Sequence, residues 1–345
     1  MDLDERIKRR QRRDAGPRLV RDYESLSPVA HVDEPSDRGP VFERLLDHLD
    51  PVFEGSLPPN AYLHGPSGSG KSAVVTALFE HLSRLPTETR PVIHTSTRAA
   101  APMSPGFVYV DMRTATTEFA FYRSVLDALV EESIPEHGVS TKEIRRRLHS
   151  RLGTSRTGVV VAVDHVAAAD RNDRYDLVDL FAGLPSNVSW LAVGRTDPER
   201  TALVEYTART VRVERYRRQT LVDVLMRRSS MGLAQQALDH RRARDIAAWA
   251  DGDAHDALAV LFVAADRADR ADRTRVAEDD VAAAVEEMPR PSVSLGRVLA
   301  LPANERLVLR ALVDLDDDDR VSVVATTEAI STDPRVDLSA NDSHS

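Results

Sequence analysis

The chain has 345 residues, of which 42% are hydrophobic, so it is long enough for two or three domains with buried cores. Its 46 basic and 55 acidic residues leave a net charge of −9, and it has no cysteine, which excludes disulfides, thiolate metal sites and cysteine nucleophiles. The charged N-terminus lacks the apolar segment of a secretory signal and no apolar run reaches membrane-spanning length. We therefore expect a cytoplasmic protein without a membrane partner.

Lysine occurs only at positions 8, 71 and 142, and all other basic residues are arginine. An acidic, lysine-poor surface is typical of proteins adapted to high salt, and a codon bias toward arginine is the alternative explanation. The retention of Lys71 in such a chain favours a specific role for it. The acidic balance requires any DNA contact to come from a local basic patch.

Residues 1–38 form a polar N-terminal segment with a basic run from Arg6 to Arg13. This run is either a nucleic-acid-binding arm or, as we favour, a solvated and partly helical tail. Apolar residues recur at helical spacing over 41–54, and residues 61–64 have the composition of a short strand.

The central motif follows that strand. Residues 65–72 match G-x-x-x-x-G-K-[ST], the phosphate-binding P-loop, and a helical pattern begins at residue 73. Main-chain N–H groups and the helix N-terminus would hold the phosphates, while Lys71 reaches the β- and γ-phosphates. A chance match in a glycine-rich turn is the alternative, which the flanking elements disfavour. The predicted nucleotide-binding residues here are Gly65, Pro66, Ser67, Gly68, Ser69, Gly70, Lys71, Ser72 and Ala73.

A second strand is predicted over 107–111, followed by helices over 118–133 and from Thr141, the candidate capping residue. The apolar run 158–163 predicts a strand buried on both faces, and it ends at Asp164. A carboxylate at this point is typical of the Walker-B residue that supports Mg²⁺ together with the P-loop hydroxyl of Ser72. An ordinary turn aspartate is the alternative.

Further strands are predicted at 188–194 and 211–213, separated from the earlier ones by a helix over 176–184. Alternating strands and helices indicate an α/β fold with a parallel sheet. From residue 219 the pattern is helical only, which predicts a small helical bundle. The predicted helices after the sheet are 219–230, 239–250, 254–269, 278–287, 303–315 and 321–330.

The order of these parts resembles the archaeal origin-recognition and cell-division-control initiator family of AAA+ ATPases over roughly residues 20–315. The segments that carry the resemblance are 65–72, Tyr-Val-Asp-Met-Arg at 109–113, Asp164, Val-Glu-Arg-Tyr at 213–216, Arg228 and 252–258.

The resemblance implies an AAA+ core over 39–215 and a helical lid over 216–288. It also implies a winged-helix-like segment over 289–345, which is short and has a truncated pattern and a disordered tail. ATP and Mg²⁺ are the implied cofactors, and Tyr216 and Arg228 match the family's nucleotide-contacting tyrosine and arginine. Origin DNA, other initiator subunits and the helicase are the implied partners.

Three departures from the family pattern point to slow hydrolysis. His165 stands where the family has a glutamate that polarises water, and an imidazole is a base of a different shape from a carboxylate. Thr196 and Asp197 stand where the family has its sensor asparagine. His255 replaces the lid arginine, although we still expect it near the nucleotide.

We therefore weigh three hypotheses. The first is an ATP-binding, initiator-like protein whose nucleotide switches its binding to DNA or partner subunits, with Lys71, Asp164 and His165 as the catalytic residues. The second is a nucleotide-dependent interaction protein of the same fold with no DNA role. The third is a stand-alone P-loop ATPase of another class, such as a defence or signalling ATPase.

Overall fold

The structure, a computed structural model, describes residues 18–31, 35–88, 105–130, 132–136, 138–153, 158–166, 176–288, 298, 301, 303–315 and 323–332. The chain divides into two compact units, Met1–Ser292 and Val293–Ser345. Among the described residues, no helix combines the length and apolar character needed to cross a membrane.

The first unit is built on a five-stranded parallel sheet, which confirms the predicted α/β fold. The strands lie in the order β2-β3-β4-β1-β5, so β1 and β3 both occupy interior positions. Their bounds are β1 Ala61–His64, β2 Gly106–Asp111, β3 Val159–Asp164, β4 Val188–Gly194 and β5 Arg209–Arg212.

Hydrophobic residues alternate between the two faces of the sheet because successive strand side chains point in opposite directions. On β3, Val159, Val161 and Val163 belong to one buried cluster, and Val160 and Ala162 belong to another. Helices therefore cover both faces: α2 (Gly39–Phe53) and α3 (Lys71–Glu88) on one, and α4 (Glu118–Asp127), α5 (Thr141–Gly153) and α6 (Leu177–Ala182) on the other.

Two helix boundaries differ from the sequence predictions for local reasons. Helix α4 ends at Asp127 and not at residue 133, and the Asp127 carboxylate accepts a hydrogen bond from the Ile134 N–H at 2.7 Å, which holds the turn after the helix. At the start of α5 the cap is Ser140 and not Thr141, because the Ser140 hydroxyl accepts a hydrogen bond from the Glu143 N–H at 3.2 Å.

Four helices follow the sheet, as the sequence predicts, and pack into a separate hydrophobic cluster. The short helix α1 (Tyr23–Leu26) joins them: Leu19, Val20 and Leu26 are buried in this cluster, although the sequence places them in a polar segment. The four helices are α7 Arg218–Gly232, α8 His240–Ala250, α9 Ala254–Arg270 and α10 Glu278–Glu287.

The second unit contains two described helices, α11 (Ala303–Asp314) and α12 (Val323–Thr332), which contact each other through Ala311 and Ile330. No strand occurs among the residues described in this unit. The basic run from Arg6 to Arg13 lies outside the described residues.

Candidate functional site

The P-loop connects the interior strand β1 to the first residue of α3. Gly68 and Gly70 adopt φ values of +61° and +80°, in the left-handed region that strongly favours glycine. A Cβ atom at Gly65 would lie 2.2 Å from the Val213 carbonyl oxygen, so that position also requires glycine. These three glycines explain why the loop can curl tightly beside the end of β5. Helix α3 begins at Lys71.

The side chain of Lys71 lies inside the curled loop and is only 8% exposed. Its Nζ donates hydrogen bonds to the carbonyl oxygens of Gly65 at 2.8 Å and Pro66 at 2.6 Å, and to Ser69 Oγ at 3.2 Å. All three ammonium donors are therefore used by oxygens of the loop. The oxygens of a bound phosphate would replace one or more of these acceptors.

Burial lowers the pKa of Lys71 to about 8, because the charged form is poorly solvated there. The negative charge of Asp164 opposes this lowering of the pKa, because it favours the charged form of Lys71. The loop oxygens that surround Nζ are neutral. An anionic phosphate would place a negative charge directly beside the ammonium group of Lys71.

Asp164 ends β3, as predicted, and is 2% exposed. Its Oδ2 accepts a hydrogen bond from the Tyr109 hydroxyl at 2.7 Å, and its Oδ1 accepts one from the His165 N–H at 2.6 Å. Both carboxylate oxygens are thus oriented by neighbouring groups. Burial and the adjacent Asp164 charge raise the pKa of Tyr109, which stays a hydrogen-bond donor.

A second carboxylate stands beside Asp164, because parallel strands β2 and β3 end in register at Asp111 and Asp164. His165 Nδ1 lies 3.3 Å from Asp111 Oδ1 and 3.4 Å from Asp164 Oδ1. Burial alone would raise the pKa of Asp111, but His165 and Arg113 together hold it well below its usual range. In the sequence, Asp111 stands out only as part of the segment 109–113 that carries the family resemblance.

The helices α7–α10, which the family resemblance predicts to be a lid and which are called the lid below, contact the P-loop directly at the start of α9. The Ala254 N–H donates to the Gly68 carbonyl oxygen at 3.0 Å. A Cβ atom at Gly68 would lie 1.7 Å from Asp253 Oδ1 and 2.9 Å from the Ala254 backbone nitrogen, so the two segments approach too closely for a side chain at position 68. Asp253 in turn caps α9 by accepting a hydrogen bond from the Asp256 N–H at 3.1 Å. The loop and the lid therefore share one packed junction.

Tyr216 lies at the same junction and is 7% exposed. A Cβ atom at Gly70 would lie 2.5 Å from the Tyr216 hydroxyl oxygen. The guanidinium of Arg38 stacks over the Tyr216 ring at 3.6 Å from its centroid, and it donates to the carbonyl oxygens of Ser69 and Glu214, each at 3.1 Å. Arg38 is buried, and no sequence motif distinguishes it from the many other arginines.

Arg228 engages the segment that precedes the sheet. Its Nη2 donates to the carbonyl oxygens of Ser27 and Ala30, the latter at 3.1 Å, and burial lowers the pKa of its guanidinium. His31, the next residue, lies within electrostatic range of both Arg228 and Asp164. A nucleotide contact for Arg228 stays a prediction.

The remaining predicted residues lie around the loop. His255 occupies the first turn of α9 and is half-buried. Asp197 lines a cleft of about 370 Å³ together with Gly65, Pro66 and Arg195. Arg195 is exposed and its positive charge also lowers the pKa of Lys71, so a cation stands near Asp197 at this end of β4.

The arrangement fits a bound nucleoside triphosphate. The loop offers a tight turn of main-chain groups, a helix N-terminus and one ammonium for the phosphates. Ser72, the second residue of α3, and the oriented carboxylate of Asp164 fit the two oxygen ligands that such proteins use to support Mg²⁺. The described residues contain no cluster of three or more acidic, histidine or cysteine side chains that could hold a metal by itself.

Comparisons with known proteins agree with this geometry. Residues 37–193 match the family model of the AAA ATPase domain. The chain is 26% identical over 312 residues to ORC1-type DNA replication protein 1 of Sulfolobus acidocaldarius, an alignment that covers 86% of this chain and 74% of that protein. It is 28% identical over 295 residues to ORC1-type DNA replication protein 9 of Halobacterium salinarum, covering 84% of this chain and 77% of that protein.

Among solved structures, the chain is similar to the ORC1 protein of Aeropyrum pernix, determined in complex with DNA. The superposition has a TM-score of 0.66 at 24% sequence identity and covers 92% of this chain and 82% of that chain. At this identity the likeness shows a shared fold.

The junction between loop and lid generates the first prediction. Replacing Gly68 by alanine forces a side chain into a positive-φ position and against Asp253, so the free energy of unfolding should fall by at least about 1–2 kcal/mol. Gly39→Ala is the matched control, because its Cβ would meet nothing within 4 Å and its effect should stay within about 1 kcal/mol. Urea unfolding followed by circular dichroism measures both. Equal stabilities of the two variants would contradict the tight junction.

Proposed function

Since the chain is a divergent relative of the archaeal ORC1-type proteins with an AAA ATPase domain, we propose that it binds ATP with Mg²⁺ and uses the nucleotide as a switch. The bound nucleotide controls binding to double-stranded DNA, including replication origins, or to partner initiator or helicase subunits. Hydrolysis of ATP is slow and resets the switch.

The observation that carries this proposal is the direct contact between the P-loop and the lid. A phosphate in the loop lies next to Gly68, whose carbonyl oxygen holds Ala254 of the lid at 3.0 Å. Phosphate binding in the loop is therefore linked to the position of α9 through one hydrogen bond and one close packing contact. A lid that responds to the nucleotide is what an ATP-dependent switch needs.

The chain's own residues account for a slow reaction. Lys71 would bind the β- and γ-phosphates, and Asp164 with Ser72 would hold Mg²⁺, which would neutralise phosphate charge. His165, in place of a glutamate, faces the attacking water with an imidazole. The carboxylate of Asp197 near the loop opposes negative charge on the phosphate. Loss of one charge-stabilising group in an active site typically lowers the rate by about 100-fold or more.

DNA binding rests on a local basic surface and on the relatives. Helix α5 carries five basic and one acidic side chain. The Aeropyrum pernix ORC1 protein was solved with DNA. In an acidic chain such a patch would bind DNA with an affinity that falls steeply with salt.

A second function of the same fold, a nucleotide-dependent interaction protein without a DNA role, is favoured by the C-terminal unit. Its described residues form two helices and no strand, whereas a winged helix needs a β-hairpin as well. A nucleotide-dependent partner without DNA affinity would identify this alternative.

The proposal predicts that Lys71→Ala abolishes nucleotide binding, because the only ammonium in the loop is lost. Lys142→Ala, on the exposed side of α5, is the matched control and should bind ATP as the native protein does. Isothermal titration calorimetry measures both affinities. DNA binding at graded salt, with and without ATP, then tests the switch: ATP should change the DNA affinity of the native protein and leave that of Lys71→Ala unchanged. Equal DNA affinities of the native protein in both conditions would overturn it.

A further prediction concerns pH. The pKa of Lys71 is about 8 in the free protein, and phosphate favours the charged form, so the pKa should rise on binding. Nucleotide affinity is then constant well below pH 8 and falls as the pH rises through 8, because binding must take up a proton.

Nuclear magnetic resonance measures this directly, since the chain has only three lysines. With ¹³Cε-labelled lysine, one resonance should titrate near pH 8, and nucleotide should move that titration upward. A Lys71 resonance that titrates at the ordinary value of lysine, near pH 10.4, would contradict the buried position of its side chain.

A further inference from the structure

The lid contains a cavity at the end of the bundle where α7 stops and α8 starts. Its volume is about 720 Å³, which is in the range of small-molecule sites. Helix α8 has 11 residues and is therefore about 16 Å long. The turn after its far end accepts a hydrogen bond from the Tyr216 N–H at the Gly252 carbonyl oxygen, at 3.1 Å. The length of α8 thus separates the cavity from the junction of lid and P-loop.

The walls of the cavity are held in place by main-chain hydrogen bonds between segments that are distant in sequence. The Arg21 N–H donates to the Gly232 carbonyl oxygen at 2.9 Å, which fixes the segment before α1 against the end of α7. The Val276 N–H donates to the Ala237 carbonyl oxygen at 2.8 Å, which fixes the segment before α10 against the connection between α7 and α8. The cavity is therefore preformed, and a ligand would not have to order its walls.

The floor of the cavity is apolar except for one hydroxyl group. Leu233 and Leu238 are buried there, and Met226 packs against the same hydrophobic cluster. Ser229 also lines the cavity and is only 5% exposed, but its hydroxyl has no hydrogen-bond partner among the described residues. Since a buried hydroxyl without a partner lowers stability, this group is available to hydrogen-bond a ligand.

Two arginines stand at the rim of the cavity. Arg21 and Arg275 are exposed, and neither forms an ion pair with a carboxylate in the part of the chain that the structure describes. The Arg275 Nη2 donates to Gln236 Oε1 at 3.4 Å, which is a long hydrogen bond to a neutral group. By contrast, Arg242 of α8 pairs with two carboxylates. The two rim guanidinium groups are thus left without a counter-charge, and their planar sets of donors match phosphate oxygens.

The first turn of α8 adds positive potential to the cavity, and one acid opposes it. Helix α8 begins at His240, which lines the cavity, and a helix N-terminus carries a partial positive charge. Asp239 is the only carboxylate among the described residues of the lining, and it caps α8 by accepting a hydrogen bond from the Arg242 N–H at 2.8 Å. Two guanidinium groups and the helix end outweigh this one negative charge, so the cavity favours an anion that has an apolar part.

We propose that this cavity is a second ligand site, separate from the P-loop, and that it binds a small phosphate monoester. Arg21 and Arg275 hold the phosphate group, the organic part covers Met226 and Leu233, and the Ser229 hydroxyl hydrogen-bonds the ligand. A phosphate of the DNA backbone fits less well, because it would lie at the rim and leave the apolar floor uncovered. The site goes beyond the proposed function and does not depend on ATP binding.

Phenyl phosphate is the probe for the first experiment, with phenol and inorganic phosphate as its apolar and anionic halves. Nuclear magnetic resonance of ¹³C-methyl methionine reads the site, because Met226 lines the cavity, while the buried Met112 follows Asp111 near the P-loop and serves as the reference. Met226→Leu assigns the signal. We expect phenyl phosphate to shift the Met226 signal saturably, in the native chain and equally in Lys71→Ala, and to bind about tenfold or more tightly than either half. An unmoved Met226 signal, or equal affinities for phenol and phenyl phosphate, overturns the proposal.

The second experiment repeats this titration with variants of the lining. Arg21→Gln and Arg275→Gln should each weaken phenyl phosphate binding by about tenfold, because each removes a charged donor. Arg244→Gln is the matched control, since Arg244 is an exposed arginine of α8 outside the lining, and its affinity should be unchanged. Ser229→Ala should weaken binding several-fold without lowering the melting temperature, because its hydroxyl has no partner to lose. Equal losses in Arg244→Gln and the rim variants would show unspecific attraction and overturn the site. A short DNA duplex that shifts the Met226 signal at lower concentration than phenyl phosphate would assign the rim arginines to DNA and overturn it as well.

Discussion

The structure depends on the close approach of two backbones, the P-loop at Gly68 and the lid at Asp253 and Ala254. The hydrogen bond from the Ala254 N–H to the Gly68 carbonyl oxygen, with no space for a Cβ between them, makes the loop and the lid one packed unit. Tyr216 and Arg38 add to the same junction, since the stacked pair bridges Ser69 of the loop and the chain that leaves β5. A conformational change of the P-loop therefore alters the contacts that hold the lid.

The second constraint is the register of the parallel sheet. Because β2 and β3 end level with each other, Asp111 and Asp164 stand side by side at the edge where the P-loop leaves β1. Two adjacent carboxylates repel each other unless donors separate them, and here Arg113, Tyr109 and the His165 backbone N–H supply those donors. The His165 imidazole lies beside both carboxylates, with Nδ1 3.3 Å from Asp111 Oδ1, which the linear motif alone does not reveal.

The sequence was sufficient for the strands, the P-loop, the Walker-B strand and the lid helices, because each has a strong local pattern. It failed where contacts join distant segments. Leu19, Val20 and Leu26 are buried against helices about 200 residues further on, and nothing in their polar neighbourhood indicates that. Arg38 and Arg228 make their contacts through carbonyl oxygens, which carry no sequence signal. In a chain so rich in arginine, composition cannot distinguish a buried guanidinium from a solvated one.

The most direct test of the account is amide hydrogen exchange at Ala254, whose N–H is bound to Gly68. The exchange rate of this amide, with Ala257 in the same helix as a reference, should be measured with and without a non-hydrolysable ATP analogue at saturating concentration. The account predicts that nucleotide changes the protection of Ala254 by about tenfold or more and leaves Ala257 nearly unchanged. Proven nucleotide binding with identical protection of Ala254 in both conditions would contradict the coupling of loop and lid.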